Sequence, residues 1–169
     1  MPNTYNTIFD SIKTICINHG QLKGSFGFGE VADIAVSGDT KYPMMYVTPK
    51  PCVVKKGEVG YAFDIRIMDR LKTGYIAKEE MEILNDTMQI ALDIIAQLKH
   101  GSSNTYPFDI KFDQTLTPFV EWVDDFLAGW LFSVTLFVPF TADECAVPLI
   151  SSPSSTALLI TDDASLLLA

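Results

Sequence analysis

Two segments of the chain repeat their apolar residues with the period of an α-helix. In residues 4–19 these residues recur three or four positions apart, which places them on one stripe. That stripe comprises Tyr5, Ile8, Phe9, Ile12, Ile15, Cys16 and His19. Residues 77–99 repeat in the same way, and their apolar positions include Met81, Ile83, Leu84, Met88, Ile90, Ala91, Ile94, Ile95 and Leu98. The pattern predicts two helices, the second with enough apolar positions to pack on two sides.

Apolar and polar residues alternate between and after these helices, as in strands with one buried face. Residues 59–69 alternate most clearly, and together with 44–56 they predict an antiparallel hairpin that turns at Gly57. Residues 108–113 predict another strand, and 119–124 with 130–138 predict a last hairpin around 125–129. Residues 20–43 are rich in glycine and predict a loop with a short strand at 33–36. The predicted fold class is α+β, an antiparallel sheet packed with two helices.

The pattern changes after Pro139, which divides the chain into a domain at 1–139 and an extended C-terminal arm at 140–169. The arm contains a serine- and proline-rich stretch and no Lys or Arg. It also contains two apolar bursts, with Leu158, Leu159 and Ile160 in the first and Leu166, Leu167 and Leu168 in the second. This is too apolar for a solvated tail. Two alternatives stay open, an arm that lies on a neighbouring chain and an arm that folds back on its own core.

Composition and charge narrow the class of protein. The chain has 169 residues, enough for one domain, and its mean hydropathy of +0.21 is high for a chain without a long apolar run. The excess apolar surface must be covered by a core or by partners. The formal charge of −9 argues against sequence-specific nucleic-acid binding. Cys16, Cys52 and Cys145 are odd in number and far apart, which favours a reducing compartment, and no signal peptide is visible.

Motifs that carry chemistry are missing from the sequence. His19 and His100 are the two histidines, and no metal-ligand spacing accompanies them. Gly24, Gly27 and Gly29 fit neither phosphate-loop nor dinucleotide spacing. Adjacent carboxylates favour solvated charge over an acid–base pair. The chain is therefore predicted not to be an enzyme and to need no cofactor or metal; a small enzyme using carboxylates and a divalent ion is the weakest alternative.

Four aromatic residues are candidates for partner binding. Trp122 and Trp130 flank an acidic turn, and Phe26 and Phe28 lie in the glycine loop. Each pair fits core packing, and each also fits an interface anchor, because aromatic residues are enriched at binding hot spots.

Several segments together carry a resemblance to a known family. They read FGFGEVADI (26–34), YPMMYVTP (42–49), YAFDIRIMD (61–69), EILNDTMQI (82–90) and DDFLAGW (124–130). With the N-terminal helix before them, they resemble small neck and tail-completion proteins of tailed bacteriophages, including ring proteins of crAss-like phages. The resemblance covers roughly residues 4–139 and leaves the arm out.

The resemblance implies a tail-terminator-like fold and a structural role in the virion, after synthesis in the host bacterial cytoplasm. Such proteins form closed homo-oligomeric rings, typically sixfold or twelvefold, that contact portal, neck or tail proteins and let DNA pass. An acidic lumen would keep DNA from adhering, a hypothesis that rests on the net charge. The alternative is a monomeric adaptor that binds a peptide at its sheet edge. Neither interpretation places the chain in a membrane.

Overall fold

The computed structural model describes residues 4–30, 41–71, 77–101, 108–110, 114–122 and 126–140. Its two helices are α1 at Tyr5–Asn18 and α2 at Ala77–Gly101, which confirms both predictions. The side chain of Thr4 caps α1, because its oxygen accepts a hydrogen bond of 3.3 Å from the amide of Thr7. Both helices therefore begin and end close to where the apolar pattern places them.

The strands form one seven-stranded sheet within the described part of the chain. They are β1 Phe26–Phe28, β2 Met44–Pro49, β3 Val53–Lys55, β4 Glu58–Arg70, β5 Asp109–Ile110, β6 Thr117–Trp122 and β7 Phe126–Pro139. The order is β1-β2-β4-β7-β5, while β3 also pairs with β4 and β6 also pairs with β7. The long central strands β4 and β7 pair antiparallel along their whole length. The α+β class is therefore correct.

The glycine-rich segment corrects two of the predictions. Phe26–Phe28 is a strand rather than part of a loop, and it pairs parallel with β2. The sheet is consequently mixed and not purely antiparallel. A three-residue strand has too short a pattern to stand out from sequence, and here pairing with a neighbour decides its conformation.

Two predicted hairpins also differ in detail. The predicted strand at 44–56 is split into β2 and β3, which lie end to end along the same side of β4. Pro49 and Pro51 stand at this break, as expected for residues that lack an amide donor. β7 begins at Phe126, so most of the predicted turn at 125–129 is strand. The predictions at 33–36, at 111–113 and for the arm lie outside the described residues, and the boundary at 139/140 stays a prediction.

Both helices cover one face of the sheet, and the main core lies between them. Its largest fully buried side chains include Ile8, Ile12 and Ile15 of α1, Ile90 and Ile94 of α2, and Phe63 and Phe132 of the sheet. A smaller cluster around Tyr46, Met68 and Leu127 lies on the opposite, helix-free face. Met81, one of the apolar positions of the predicted helix, does not pack in the core, because its side chain is 67% exposed. The buried stripe of α2 instead runs through Thr87, Ile90, Ala91, Ile94 and Leu98.

Candidate functional site

A row of polar side chains crosses the middle of the helix-free face. Thr48, Asp64 and Ser133 lie directly opposite one another on β2, β4 and β7, so their side chains point to the same face. Ser133 Oγ donates a hydrogen bond of 2.6 Å to Asp64 Oδ1, and Lys50 Nζ lies 3.0 Å from Asp64 Oδ2. Arg66 Nη1 donates to Thr48 Oγ1 at 3.3 Å. Both oxygens of the buried Asp64 carboxylate are thus engaged.

The charge state of Asp64 follows from these contacts. Burial raises the pKa of the carboxyl, but the hydrogen bonds from Ser133 and Lys50 and the charges of Lys50 and Arg66 outweigh it. The pKa consequently lies below its usual value, and Asp64 is ionised at neutral pH. Asp64 is thus bound by Ser133 and Lys50 and lies near the charge of Arg66, and the row links β2, β4 and β7.

The described residues offer little else that could carry chemistry. They include no group of three or more His, Cys, Asp and Glu side chains that could hold a metal ion. His19 Nε2 lies 3.5 Å from Asp93 Oδ2, a contact that joins α1 to α2. No described helix has the length and apolar character needed to cross a membrane. Two edges of the sheet are described surfaces that could contact another chain.

The first such surface is the β1 edge, formed by Phe26–Phe28 at one end of the sheet order. Gly27 faces Tyr46 of β2, and a Cβ at this position would collide with the tyrosine ring. Tyr46 has little room to move, because it is buried and its hydroxyl donates a hydrogen bond of 2.9 Å to the carbonyl of Glu30. Glycine between the two phenylalanines therefore allows β1 to lie against β2.

The backbone of β1 has a defined orientation. The amide of Met45 donates to the carbonyl of Ser25 at 3.0 Å, and the amide of Gly29 donates to the carbonyl of Val47 at 3.1 Å. These contacts point residues 25 and 29 towards β2. Because backbone groups alternate in direction along a strand, those of Phe26 and Phe28 point away from the sheet. The β1 edge thus presents hydrogen-bonding groups to an incoming strand.

The side chains of the β1 edge form an aromatic cluster with α1. The ring of Phe9 packs edge-on against Phe28 at 4.5 Å between centroids and against Phe26 at 5.6 Å. Phe26 is half-buried, whereas Phe28 is 46% exposed. Phe26 therefore belongs to the core margin, and Phe28 combines a fixed position with exposed apolar area. That combination is typical of an interface anchor.

The second surface is the β3 edge, Val53–Lys55, together with the turn residue Lys56. Val53 is 47% exposed and Val54 is 67% exposed. Lys55 and Lys56 are exposed beside them, and β3 pairs only with β4 among the described strands. Lys55 Nζ lies 3.6 Å from Glu58 and 5.4 Å from the centre of the Phe137 ring. The β3 edge is therefore apolar at its start and basic at its end.

The remaining candidate residues are separate from these edges. Trp130 lies on β7, where its indole nitrogen donates a hydrogen bond of 2.7 Å to the carbonyl of Leu84 in α2. Trp122 ends β6 and pairs with Phe126. Leu158, Leu159, Ile160, Leu166, Leu167 and Leu168 lie outside the described residues. Sequence reasoning selected Phe26 and Phe28 but passed over Val53 and Val54, although the flanking Pro51 and Gly57 could have marked them as a short edge strand.

No known family model matches this sequence. A search of curated proteins likewise finds no match.

Proposed function

We propose that this chain is a structural virion protein, one subunit of a ring in the neck or tail of a tailed bacteriophage. The ring would connect the portal or head to the tail and let DNA pass. The observation that carries the proposal is the β1 edge, where Phe28 is 46% exposed and the outward backbone groups of Phe26 and Phe28 face away from β2, with no further strand beside them among the described residues. The tail-terminator-like character of the fold and the virion location belong to this proposal and rest on the sequence resemblance.

Ring formation requires a head-to-tail contact, in which the β1 edge of one copy meets a different surface on its neighbour. Such contacts close into a ring when the rotation permits, whereas pairing of two β1 edges with each other would give a two-fold dimer. The formal charge of −9 suits a subunit whose ring surrounds DNA without adhering to it. Sixfold and twelvefold rings are the orders expected from the resemblance.

A monomeric adaptor is the second candidate, because the same β1 edge could take up an extended peptide by strand addition. The two candidates differ in what occupies the edge. A ring subunit uses it for another copy or a neighbouring virion protein, and an adaptor uses it for a peptide while staying monomeric.

Native mass measured across a range of concentrations separates the two candidates. We expect a discrete species of six or twelve subunits for the full-length chain. Phe28→Asp should shift assembly to higher concentration, because it places a charge at the proposed contact without removing a fully buried side chain. Leu92→Asp is the matched control, since Leu92 is 43% exposed on α2. A monomer at every concentration would favour the adaptor, and assembly lost only in Leu92→Asp would move the interface to the helical face.

A further inference from the structure

The β3 edge is an apolar and basic surface that no other strand covers among the residues the structure describes, apart from β4 on its inner side. Val53 and Val54 remain about half or more exposed. Lys55 and Lys56 follow them directly, and Lys50 precedes them, all three exposed. A short strand with exposed apolar side chains at a sheet edge is a template for pairing with another strand. Residues that shield Val53 and Val54 from solvent must therefore come from outside the described part of the chain.

The order of residues on β3 matches a segment of the C-terminal arm. Along β3, two valines are followed by two lysines. In the arm, Leu158, Leu159 and Ile160 are followed after Thr161 by Asp162 and Asp163. Residues 140–169 contain no Lys or Arg, so the arm and the β3 edge are complementary in charge. Apolar and charged residues come in the same order in both segments, which favours a parallel arrangement.

The described chain ends at the turn that joins β3 to β4. The amide of Phe140 donates a hydrogen bond of 2.9 Å to the carbonyl of Gly57, in the turn between β3 and β4. At about 3.3 Å per extended residue, the stretch from Phe140 to residue 157 could reach on the order of 50 Å. A β3 edge of a neighbouring copy that lies within this distance is in reach of the arm.

We propose that residues 157–163 of one copy add as a parallel strand to the β3 edge of a neighbouring copy. Leu158–Ile160 cover Val53 and Val54, and the two aspartates lie by the lysines. An arm that leaves beside β3 of its own copy and binds β3 of the next is a head-to-tail contact of the kind that closes a ring. This inference rests on the proposed assembly, and it names one interface within it.

Directed cross-linking of the full-length chain tests the contact. In a Cys52→Ser/Cys145→Ser background, one population carries Val54→Cys and another carries Leu159→Cys or Ile160→Cys. Both arm positions are used because consecutive residues on a strand point to opposite faces. After the two populations are mixed and mildly oxidised, we expect a disulfide-linked dimer that contains one copy from each population. This dimer should form with either Leu159→Cys or Ile160→Cys, whichever side chain points to the same face as Val54→Cys. Neither population alone should form this mixed dimer.

A charge reversal provides the second measurement. Lys56→Glu should raise the concentration at half-assembly about tenfold, and the single reversal Asp163→Lys should restore it in the combined variant. Lys13→Glu, an exposed position on α1, is the control and should change little.

Native mass is recorded in parallel, so that the two proposals can fail separately. Normal rings without cross-links, and unaffected by Lys56→Glu, would overturn the arm contact and leave the ring intact. A third variant carries Val54→Cys and the arm cysteine in the same chain. Cross-links that form only within single copies of this variant would also overturn the contact between copies, because the arm would then cover its own β3. A chain that never assembles would contradict the ring and the arm exchange together.

Discussion

The indole nitrogen of Trp130 lies 2.7 Å from the main-chain carbonyl oxygen of Leu84 and donates a hydrogen bond to it. This contact joins β7 to the first half of α2 across 46 residues of sequence. Trp130 was a candidate for both core packing and partner binding. The hydrogen bond from Trp130 links the sheet to the helix that packs on it.

Trp130→Phe should therefore reduce stability while leaving assembly unchanged. Phenylalanine keeps an aromatic ring but lacks the donor, so the expected loss in the free energy of unfolding is about 1 kcal/mol. Urea unfolding measures this loss, and native mass is measured on the same sample. An altered native mass with unchanged unfolding would instead identify Trp130 as an interface anchor.

Long elements of this fold could be predicted because each carries its own pattern. Ile8, Ile12 and Ile15 repeat with the helical period, and Phe63, Ile65 and Ile67 alternate with the strand period, so both sets were placed correctly. The buried face of α2 was harder to predict. Its sequence has apolar residues on most sides, and only packing against the sheet decides that Ile90 is buried and Met81 is not.

Short elements could not be predicted, because their conformation depends on a distant partner. Phe26–Phe28 forms a strand because it pairs with residues 45–47. No pattern within the segment itself predicts this pairing. The aromatic composition of this segment still identified Phe28 as a candidate, while its position at a sheet edge required the structure. Val53 and Val54 belong to a longer predicted strand. Pro51 and Gly57 mark a short strand there, but its place at a sheet edge depends on its pairing with β4.

Gly129→Ala should be among the most damaging single changes in the protein. A Cβ at Gly129 would collide with the carbonyl oxygen of Ile67 and would lie 2.8 Å from Met68 Cα, both backbone atoms of the paired strand β4. Relief requires β4 and β7 to separate, so we expect a loss of at least about 3 kcal/mol. Gly20→Ala is the control, because a Cβ there has no heavy atom within 4 Å. Equal urea midpoints for the two variants would contradict the close approach.

Asp64 should make stability depend on pH in the acid range. Its pKa is lowered in the folded state, so its contribution is fully present above the unfolded value of about 3.9 and is lost as pH falls through the lower folded pKa. Asp64→Asn should cost about 1–3 kcal/mol at pH 7, because it removes charged hydrogen bonds from a buried group. The difference from the wild type should shrink below about pH 4.

Unfolding curves at several pH values measure this dependence. Asp10→Asn, at an exposed position of α1, is the control and should stay within about 0.5 kcal/mol of the wild type. A difference between Asp64→Asn and wild type that persists unchanged at acid pH would show that the carboxylate charge does not stabilise the row.

Cys16 and Cys52 should differ sharply in reactivity. Cys52 is exposed, whereas Cys16 is fully buried and its Sγ lies 3.5 Å from the carbonyl oxygen of Ser25, just before β1. Burial raises the pKa of the Cys16 thiol to about 11, so almost none of the reactive thiolate is present at pH 8.

In a Cys145→Ser background, we expect a thiol reagent to label one cysteine in the native protein and two after unfolding. Slow labelling of Cys16 should then track opening of α1 from the β1 edge. The Cys52→Ser/Cys145→Ser variant isolates this slow phase, and rapid native labelling in it would contradict the buried position of Cys16.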